Sequence, residues 1–227
     1  VLVEKPMTLN SAEAYELVDL AHKQNLVLSV GHIFRFNNAL RMARDLIKNG
    51  FFGDIFHLKL QWTTLMPPFE GRDIITDLAP HPFDILHFLL GEWPLKVTCK
   101  AKAYRRKHEE LAYIVTEFGN NVMAHIELSW LLPGKTREVY VIGSDRSAKI
   151  DCLSQDLKVF EDNGFHDVYV SKNNTIQDEL MHFVHCIQNN GVVNHSYLNM
   201  SNGLVGAHVV RLLEIARKSM DEEKTET

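Results

Sequence analysis

Seven short strand-like segments, separated by turn-forming residues, fill the chain from residue 97 to residue 170. Turns are indicated at Gly119-Asn120-Asn121, Pro133-Gly134 and Asp162-Asn163-Gly164. Because successive strands joined by short turns pair antiparallel, this stretch predicts one large antiparallel sheet. The predicted strands are residues 97–104, 111–118, 122–130, 138–143, 147–152, 157–161 and 166–170.

A different pattern precedes the predicted sheet. Residues 1–3 have the character of the end of a buried strand, Asn10 or Ser11 caps a helix through residues 12–21, and residues 26–31 form a continuous apolar run. An uninterrupted apolar run is typical of a strand buried on both faces. Strand, helix and strand within about 30 residues make one βαβ unit, in which the two strands are parallel.

Helices are predicted on both sides of the sheet region. They cover residues 38–48, 76–90, 175–189 and 201–218, and a strand at residues 55–62 lies between the first two. The predicted fold class is therefore α/β and α+β. It consists of a small parallel fragment followed by a domain with a large, mostly antiparallel open sheet flanked by helices.

Composition argues against several classes of function. The net charge of −5 argues against a nucleic-acid surface, and no apolar run approaches the roughly 20 residues that cross a bilayer. Three cysteines without CxxC spacing (Cys99, Cys152 and Cys186) indicate reduced thiols, and the first residues contain no basic leader. We therefore expect a cytoplasmic protein without a nucleic-acid or membrane partner.

Lys5 follows the first predicted strand directly. The carboxyl ends of parallel strands are where open α/β sheets place their ligand crevice. Pro6 restricts Lys5 to an extended conformation, and the bond between them can be cis. Taken alone, however, Lys5 fits a solvated surface lysine at the start of a loop better.

Asp77 and His81 are separated by one helical turn. At this spacing a carboxylate can orient an imidazole and hold its proton, so that Lys5, Asp77 and His81 form a set suited to proton transfer at a hydroxyl group. The alternative is a helix-capping Asp77 and an incidental His81. Asp84 continues the same face, and the prolines predict that the regular helix begins near Pro82.

A second group of polar residues follows the second predicted strand. His32 and Arg35 fall where the crevice is expected, and Arg35 suits a substrate carboxylate or phosphate. An arginine whose stem packs on Phe34 and Phe36 is an equally good interpretation.

Metal and phosphate sites are less well supported. His182, His185 and Cys186 lie on one amphipathic helix without a matching second cluster, so a helix face is favoured over zinc. A metal-dependent hydrolase using Asp77, His81 and Asp84 ranks lower still. The sequence contains neither GxGxxG nor GxxxxGK[ST].

Taken in order, these motifs resemble the Gfo/Idh/MocA oxidoreductases from residue 1 to about residue 130. The resemblance implies that residues 1–33 are the C-terminal remnant of a dinucleotide-binding Rossmann domain. Residues 34–227 would form the α/β domain for substrate binding and oligomerisation. The motifs are Glu4-Lys5-Pro6, Gly31-His32 with Arg35-Phe36-Asn37, and Asp77-xxx-His81-xx-Asp84 followed by Leu89-Leu90-Gly91.

The resemblance also implies roles for single residues. The expected activity is an NAD- or NADP-dependent dehydrogenase of a sugar, sugar-nucleotide or polyol hydroxyl, in a homo-oligomer joined through the C-terminal sheet. The Lys5–Pro6 bond is expected to be cis. The catalytic residues would be Lys5, Asp77 and His81, the cofactor residues Glu4, Lys5 and Pro6, and the substrate contacts His32, Arg35, Asn37 and Asp84.

Two departures from the family pattern qualify this expectation. Ala79 and Pro80 replace the usual glycine turn within the histidine motif. The family's glycine loop and ribose-binding acidic residue have no counterpart in these 227 residues, so we expect the chain alone to bind dinucleotide weakly and to be inactive. The alternative is a non-catalytic truncated homologue that acts as a sugar-binding or oligomerisation module.

Overall fold

A computed structural model describes residues 1–67, 71–189 and 199–224 of the chain, and the side chains up to residue 220. Its first part is the predicted βαβ unit. Strand β1 (Leu2–Val3) and strand β2 (Ser29–Val30) pair in parallel, and helix α1 (Ser11–Lys23) connects them. Asn10 caps α1 by accepting a hydrogen bond from the Glu13 amide. The second strand is shorter than the predicted 26–31 run.

A sheet of eight strands forms the second part and confirms the predicted large, mostly antiparallel sheet. Its spatial order is β10-β9-β8-β7-β3-β6-β5-β4. The strands are β3 (Ile55–Thr64), β4 (Lys96–Lys102), β5 (Leu111–Glu117), β6 (Met123–Ser129), β7 (Lys135–Gly143), β8 (Ser147–Asp151), β9 (Asp156–Glu161) and β10 (Gly164–Val168). Strand β3 lies at the centre, parallel to β6 and antiparallel to β7.

Helices pack on one face of this sheet or on one another. They are α2 (Asn38–Lys48), α3 (Ile74–Leu78), α4 (Pro80–Leu90), α5 (Thr175–Gln188) and α6 (Gly203–Lys224), and a short 3-10 helix spans Ile33–Phe36. The prediction of a single helix over residues 76–90 is wrong, because two helices, α3 and α4, occupy this stretch. Pro80 lacks an amide hydrogen and opens α4, so the second helix begins there and not at Pro82.

Alternation along the strands decides which side chains form the core. Leu58, Leu60 and Trp62 of β3 are fully buried beneath the helices, whereas Tyr113 and Val115 of β5 remain exposed on the opposite face. The three cysteines are buried, and none of them forms a disulfide bond. Within the described residues, no helix is long and apolar enough to span a bilayer.

Helix α6 joins the two parts of the chain. A small separate core contains Met7, Ala14 and Val30 of the first part together with Ala207 and Val210 of α6. The proposed division at residues 33 and 34 therefore stays a prediction, since the last helix packs on the N-terminal unit as well as on the sheet.

Candidate active site

Lys5 is drawn into the molecule at the carboxyl end of β1. Its Nζ donates to the main-chain oxygen of Asp77 at 2.6 Å and lies 3.6 Å from Asp77 Oδ1. The peptide bond from Lys5 to Pro6 is cis, as expected. Burial lowers the pKa of Lys5, and the neighbouring Asp77 partly opposes that shift. Lys5 is thus not the solvated surface lysine that its sequence context alone suggests.

Asp77 serves as the anionic centre of this region. Its carboxylate lies 3.6 Å from Lys5 and 3.0 Å from Nη1 of Arg72. The capping role that Asp77 could have had belongs to Asp73, whose carboxylate accepts from the amide and hydroxyl of Thr76. The Asp77 carboxylate is therefore available to pair with cations.

His81 lies in the first turn of α4, close to Lys5. Its ring packs edge-to-face on Phe34, with centroids 5.1 Å apart. Burial, reinforced by the charge of Lys5, lowers the pKa of His81 well below its usual value, so the imidazole is neutral at physiological pH. The predicted Asp77–His81 hydrogen bond is not formed in the described structure, because the break at Pro80 places the two residues on separate helices.

His32, Asp84 and Arg35 form a buried group beneath this site. The Nδ1 of His32 lies 3.9 Å from Asp84 Oδ2, and Nε of Arg35 donates to Asp84 Oδ1 at 2.7 Å. Arg35 also donates to the Met200 carbonyl at 2.6 Å and to Nδ1 of His87 at 2.8 Å. These contacts favour the structural interpretation of Arg35, whose donors are used within the fold.

Asn37 has the same structural character. Its side-chain oxygen accepts from the amides of Ala39 and Leu40 and so caps α2, while its nitrogen donates to the Cys152 carbonyl at 3.0 Å. Both ends of the carboxamide are engaged. These contacts favour a structural role for Asn37 over the expected substrate contact.

Two residues that sequence reasoning missed also belong to this region. Glu179 on α5 is buried, and burial raises its pKa to about 7, with the charges of Glu4 and Asp84 adding to the shift. Arg137 on β7 donates to the Thr63 carbonyl at 2.8 Å, and burial lowers its pKa to about 10. The available signal was periodicity, because Arg137 alternates in register with buried residues of β7.

Several buried polar atoms here have no hydrogen-bond partner among the described residues. They are both ring nitrogens of His32, Nδ1 of His81, Oδ2 of Asp84 and Oε1 of Glu179. Buried polar atoms normally pair, and those left over mark places where a ligand or an ordered water binds. Glu4 approaches the same place, since a Cβ on Gly31 would lie 3.1 Å from Glu4 Oε2.

The side chains do not support the metal alternatives. Within the described residues, no group of three or more His, Cys, Asp or Glu side chains is arranged to hold a metal ion. Asp84 is paired with Arg35. His182 accepts from the Met200 amide and packs on Phe36, as a residue of a packed helix face does.

Comparison with known proteins agrees with this architecture. The model of the Gfo/Idh/MocA C-terminal domain matches residues 40–149, and the model of the oxidoreductase family NAD-binding Rossmann fold matches residues 1–32. The chain belongs to the Gfo/Idh/MocA oxidoreductase family.

Two relatives illustrate the range of the family. UDP-N-acetylglucosamine 3-dehydrogenase of Acidithiobacillus ferrooxidans is 29% identical over 163 residues, which are 70% of this chain and 50% of that protein. Inositol 2-dehydrogenase of Leifsonia xyli is 27% identical over 139 residues, covering 57% of this chain and 40% of that protein. The chain spans about half the length of the curated relatives it matches.

Solved structures share the fold. The Acidithiobacillus ferrooxidans UDP-N-acetylglucosamine 3-dehydrogenase superposes with a TM-score of 0.85 at 24% identity, covering 97% of this chain and 70% of that chain. An inositol dehydrogenase homologue from Azotobacter vinelandii, complexed with NADH and myo-inositol, gives a TM-score of 0.87 at 19% identity over 98% and 69% of the two chains.

Proposed function

We propose that this chain is the substrate-binding and proton-transferring part of an NAD- or NADP-dependent dehydrogenase that acts on a secondary hydroxyl of a sugar, sugar nucleotide or polyol. One observation carries the proposal. Lys5 at the carboxyl end of β1 and Asp77 on α3 are in hydrogen-bond contact, and neutral His81 lies next to them. An ammonium and a neutral imidazole close to each other are what removal of a hydroxyl proton requires.

The residues present fit the nicotinamide end of a dinucleotide. The unpartnered atoms of His32, Asp84 and Glu179 are polar groups suited to an amide and a ribose hydroxyl, and they lie near the carboxyl end of a parallel strand. When bound, the dinucleotide supplies the hydride acceptor. No GxGxxG sequence occurs in these residues, so they account for the nicotinamide end and not for the pyrophosphate.

The protein residues divide the proton chemistry between them. The ammonium of Lys5, fixed by Asp77, donates a hydrogen bond to the substrate oxygen and stabilises negative charge that develops there. His81 accepts the hydroxyl proton, because its lowered pKa keeps the ring unprotonated before the reaction. Asp77 positions Lys5 and balances its charge without touching the reacting atoms.

The outer face of the sheet is the surface we propose for self-association. Tyr113, Val115, Met123 and Phe160 leave between 36% and 50% of their surface exposed there, an apolar area suited to a second copy of the chain. Val115→Asp should convert the oligomer to monomer in sedimentation velocity. Leu9→Asp, at a residue 84% exposed in the N-terminal unit, should not. A monomeric wild-type chain would refute the interface.

The activity is tested by measuring nicotinamide reduction by the complete gene product. Myo-inositol, UDP-N-acetylglucosamine and free glucose serve as substrates, each with NAD and with NADP. Turnover of at least one hydroxyl substrate that disappears in His81→Asn supports the proposal. Binding of these sugars with no oxidation under any cofactor would instead favour the non-catalytic binding module.

A further inference from the structure

A cavity lies beside the buried Arg35–Asp84 pair, and Arg35 forms part of its wall. It has a volume of about 520 Å³ and opens between α2, the end of α4 and the start of α6. Arg35 and Arg44 contribute its cations, and His87 and Trp93 contribute part of its aromatic wall. Lys5, Asp77 and His81 do not line it, so the cavity is separate from the site described above.

Arg44 is the residue that gives this cavity its character. Its Nε is buried and has no hydrogen-bond partner, and no carboxylate pairs with it in the described parts of the chain. Its guanidinium instead lies 4.6 Å from the centroid of the Phe88 ring. A half-buried arginine without an anion leaves an uncompensated positive charge at the cavity wall.

Arg35 adds a second guanidinium on the same ring, 5.4 Å from the Phe88 centroid. Asp84 neutralises Arg35 through a 2.7 Å hydrogen bond, but it provides no partner for Arg44. The two guanidinium groups thus share the ring of Phe88, but only Arg35 has a carboxylate partner. Arg44 therefore keeps a positive charge that no neighbouring carboxylate balances among the described residues.

His87 contributes a donor and no charge. Arginine can only donate, so the 2.8 Å contact from Arg35 Nη2 makes Nδ1 of His87 the acceptor and leaves the ring proton on Nε2. Burial lowers the pKa of His87 to about 4, with Arg35 adding to the shift, so the ring is neutral near pH 7. The ring stacks on Trp93 with centroids 3.9 Å apart, which fixes its orientation.

We propose that this cavity binds a small molecule that carries a carboxylate or phosphate group, with the anion on Arg44 and the rest of the molecule against the apolar wall. Met200, Leu204 and Val205 supply that wall. A guanidinium with free donors is well matched to either oxyanion. The inference does not depend on the proposed dehydrogenase activity, since none of its steps uses the catalytic residues.

The test is an NMR titration of the chain with inorganic phosphate and, separately, with acetate, at an ionic strength held constant with sodium chloride. The Nε–Hε resonance of Arg44, assigned from Arg44→Lys, reports on the cavity in wild type and Lys48→Gln. The indole Nε1–H resonance of Trp93, which lines the same cavity, gives the affinity in every variant, including Arg44→Gln. Lys48→Gln is the matched control, because it removes the same charge from an exposed position one turn further along α2. Arg44→Gln removes the proposed anion ligand.

We expect saturable shifts in wild type and Lys48→Gln. In Arg44→Gln the affinity should be at least about tenfold weaker, because a charge-assisted hydrogen bond is lost. Saturation by phosphate alone identifies a phosphate site, and saturation by acetate alone identifies a carboxylate site. Shifts that follow ionic strength without saturating, or equal affinity in a folded Arg44→Gln, would overturn the proposal.

Discussion

The ammonium of Lys5 donates to the main-chain oxygen of Asp77 at 2.6 Å, although 72 positions separate the two residues in the chain. This bond ties the end of the parallel strand β1 to the short helix α3. It brings the two parts of the molecule together at the proposed active site. The geometry of that site therefore depends on packing between segments distant in sequence.

Lys5→Met should lower kcat of the complete gene product by about 100-fold, because the side chain no longer donates to the substrate oxygen. The change keeps the length of the side chain and removes its charge. Steady-state assays give the effect, and Lys23→Met, at an exposed position near the end of α1, should leave kcat unchanged. Near-normal turnover of Lys5→Met would remove Lys5 from the mechanism.

Glu179→Gln should stabilise the chain above pH 7. Burial raises the pKa of Glu179 to about 7. The free energy of unfolding is therefore highest when the carboxyl is protonated in both states, and it falls as pH rises from about 4.5, the unfolded pKa, to 7. Glutamine imitates the neutral acid and escapes this loss. Urea unfolding at pH 8 should show a gain on the order of 1–3 kcal/mol that shrinks at pH 5.

The control for that measurement is Glu16→Gln, at an exposed position on α1. Its unfolding free energy should follow the wild type at both pH values. A Glu179→Gln variant that is destabilised equally at pH 5 and pH 8 would mean that the carboxylate makes a favourable charged contact.

His87→Gln should weaken the pH dependence of stability between pH 6.5 and 4. The pKa of His87 is lowered to about 4 in the folded chain. The neutral ring therefore contributes fully to the free energy of unfolding above the unfolded pKa of about 6.5, and this contribution is lost as pH falls toward 4. The variant should remove up to about 1.4 kcal/mol of unfolding free energy per pH unit from the slope. Urea titrations at several pH values measure it, and exposed His22→Gln should not change the slope.

Gly206→Ala should destabilise the junction between α6 and the N-terminal unit. A Cβ there would lie 2.5 Å from Val30 Cγ2 and 2.8 Å from Met7 Sδ. Alanine normally favours a helix over glycine by about 1 kcal/mol, but overpacking should reverse the sign and cost about 1–3 kcal/mol. Thermal unfolding measures the change. Adding Val30→Ala makes room for the new Cβ and should recover part of the lost stability. Strictly additive effects of the two substitutions would contradict the packing explanation.

Local patterns in the sequence predicted most of the fold. Alternation located the strands, but the predicted strand began at residue 138 and left out Arg137. The structure extends β7 back to Lys135 and buries Arg137 on the core side. The parallel pairing of β3 with β6 was out of reach, because it joins segments that no turn connects.

The candidate site was predicted only in part for the same reason. The motif around Lys5, Asp77 and His81 named residues that the fold does bring together. It also implied an Asp77–His81 contact, which the helix break at Pro80 prevents. Glu179 escaped notice because its burial, and the nearby charges of Glu4 and Asp84 that add to the effect of burial, arise from packing between segments far apart in the chain.

The central position of β3 has a consequence for folding while the chain is being synthesised. Ile55 pairs with Gly143 and His57 pairs with Met123, so both neighbours of β3 leave the ribosome long after it. Until they arrive, the apolar strand has two open edges of the kind that recruit other chains. Its long-range pairing also makes sheet closure slow. A nascent chain halted before β7 should therefore depend on chaperones. A chain that extends past Gly143 has both partners of β3 and can pair both of its edges.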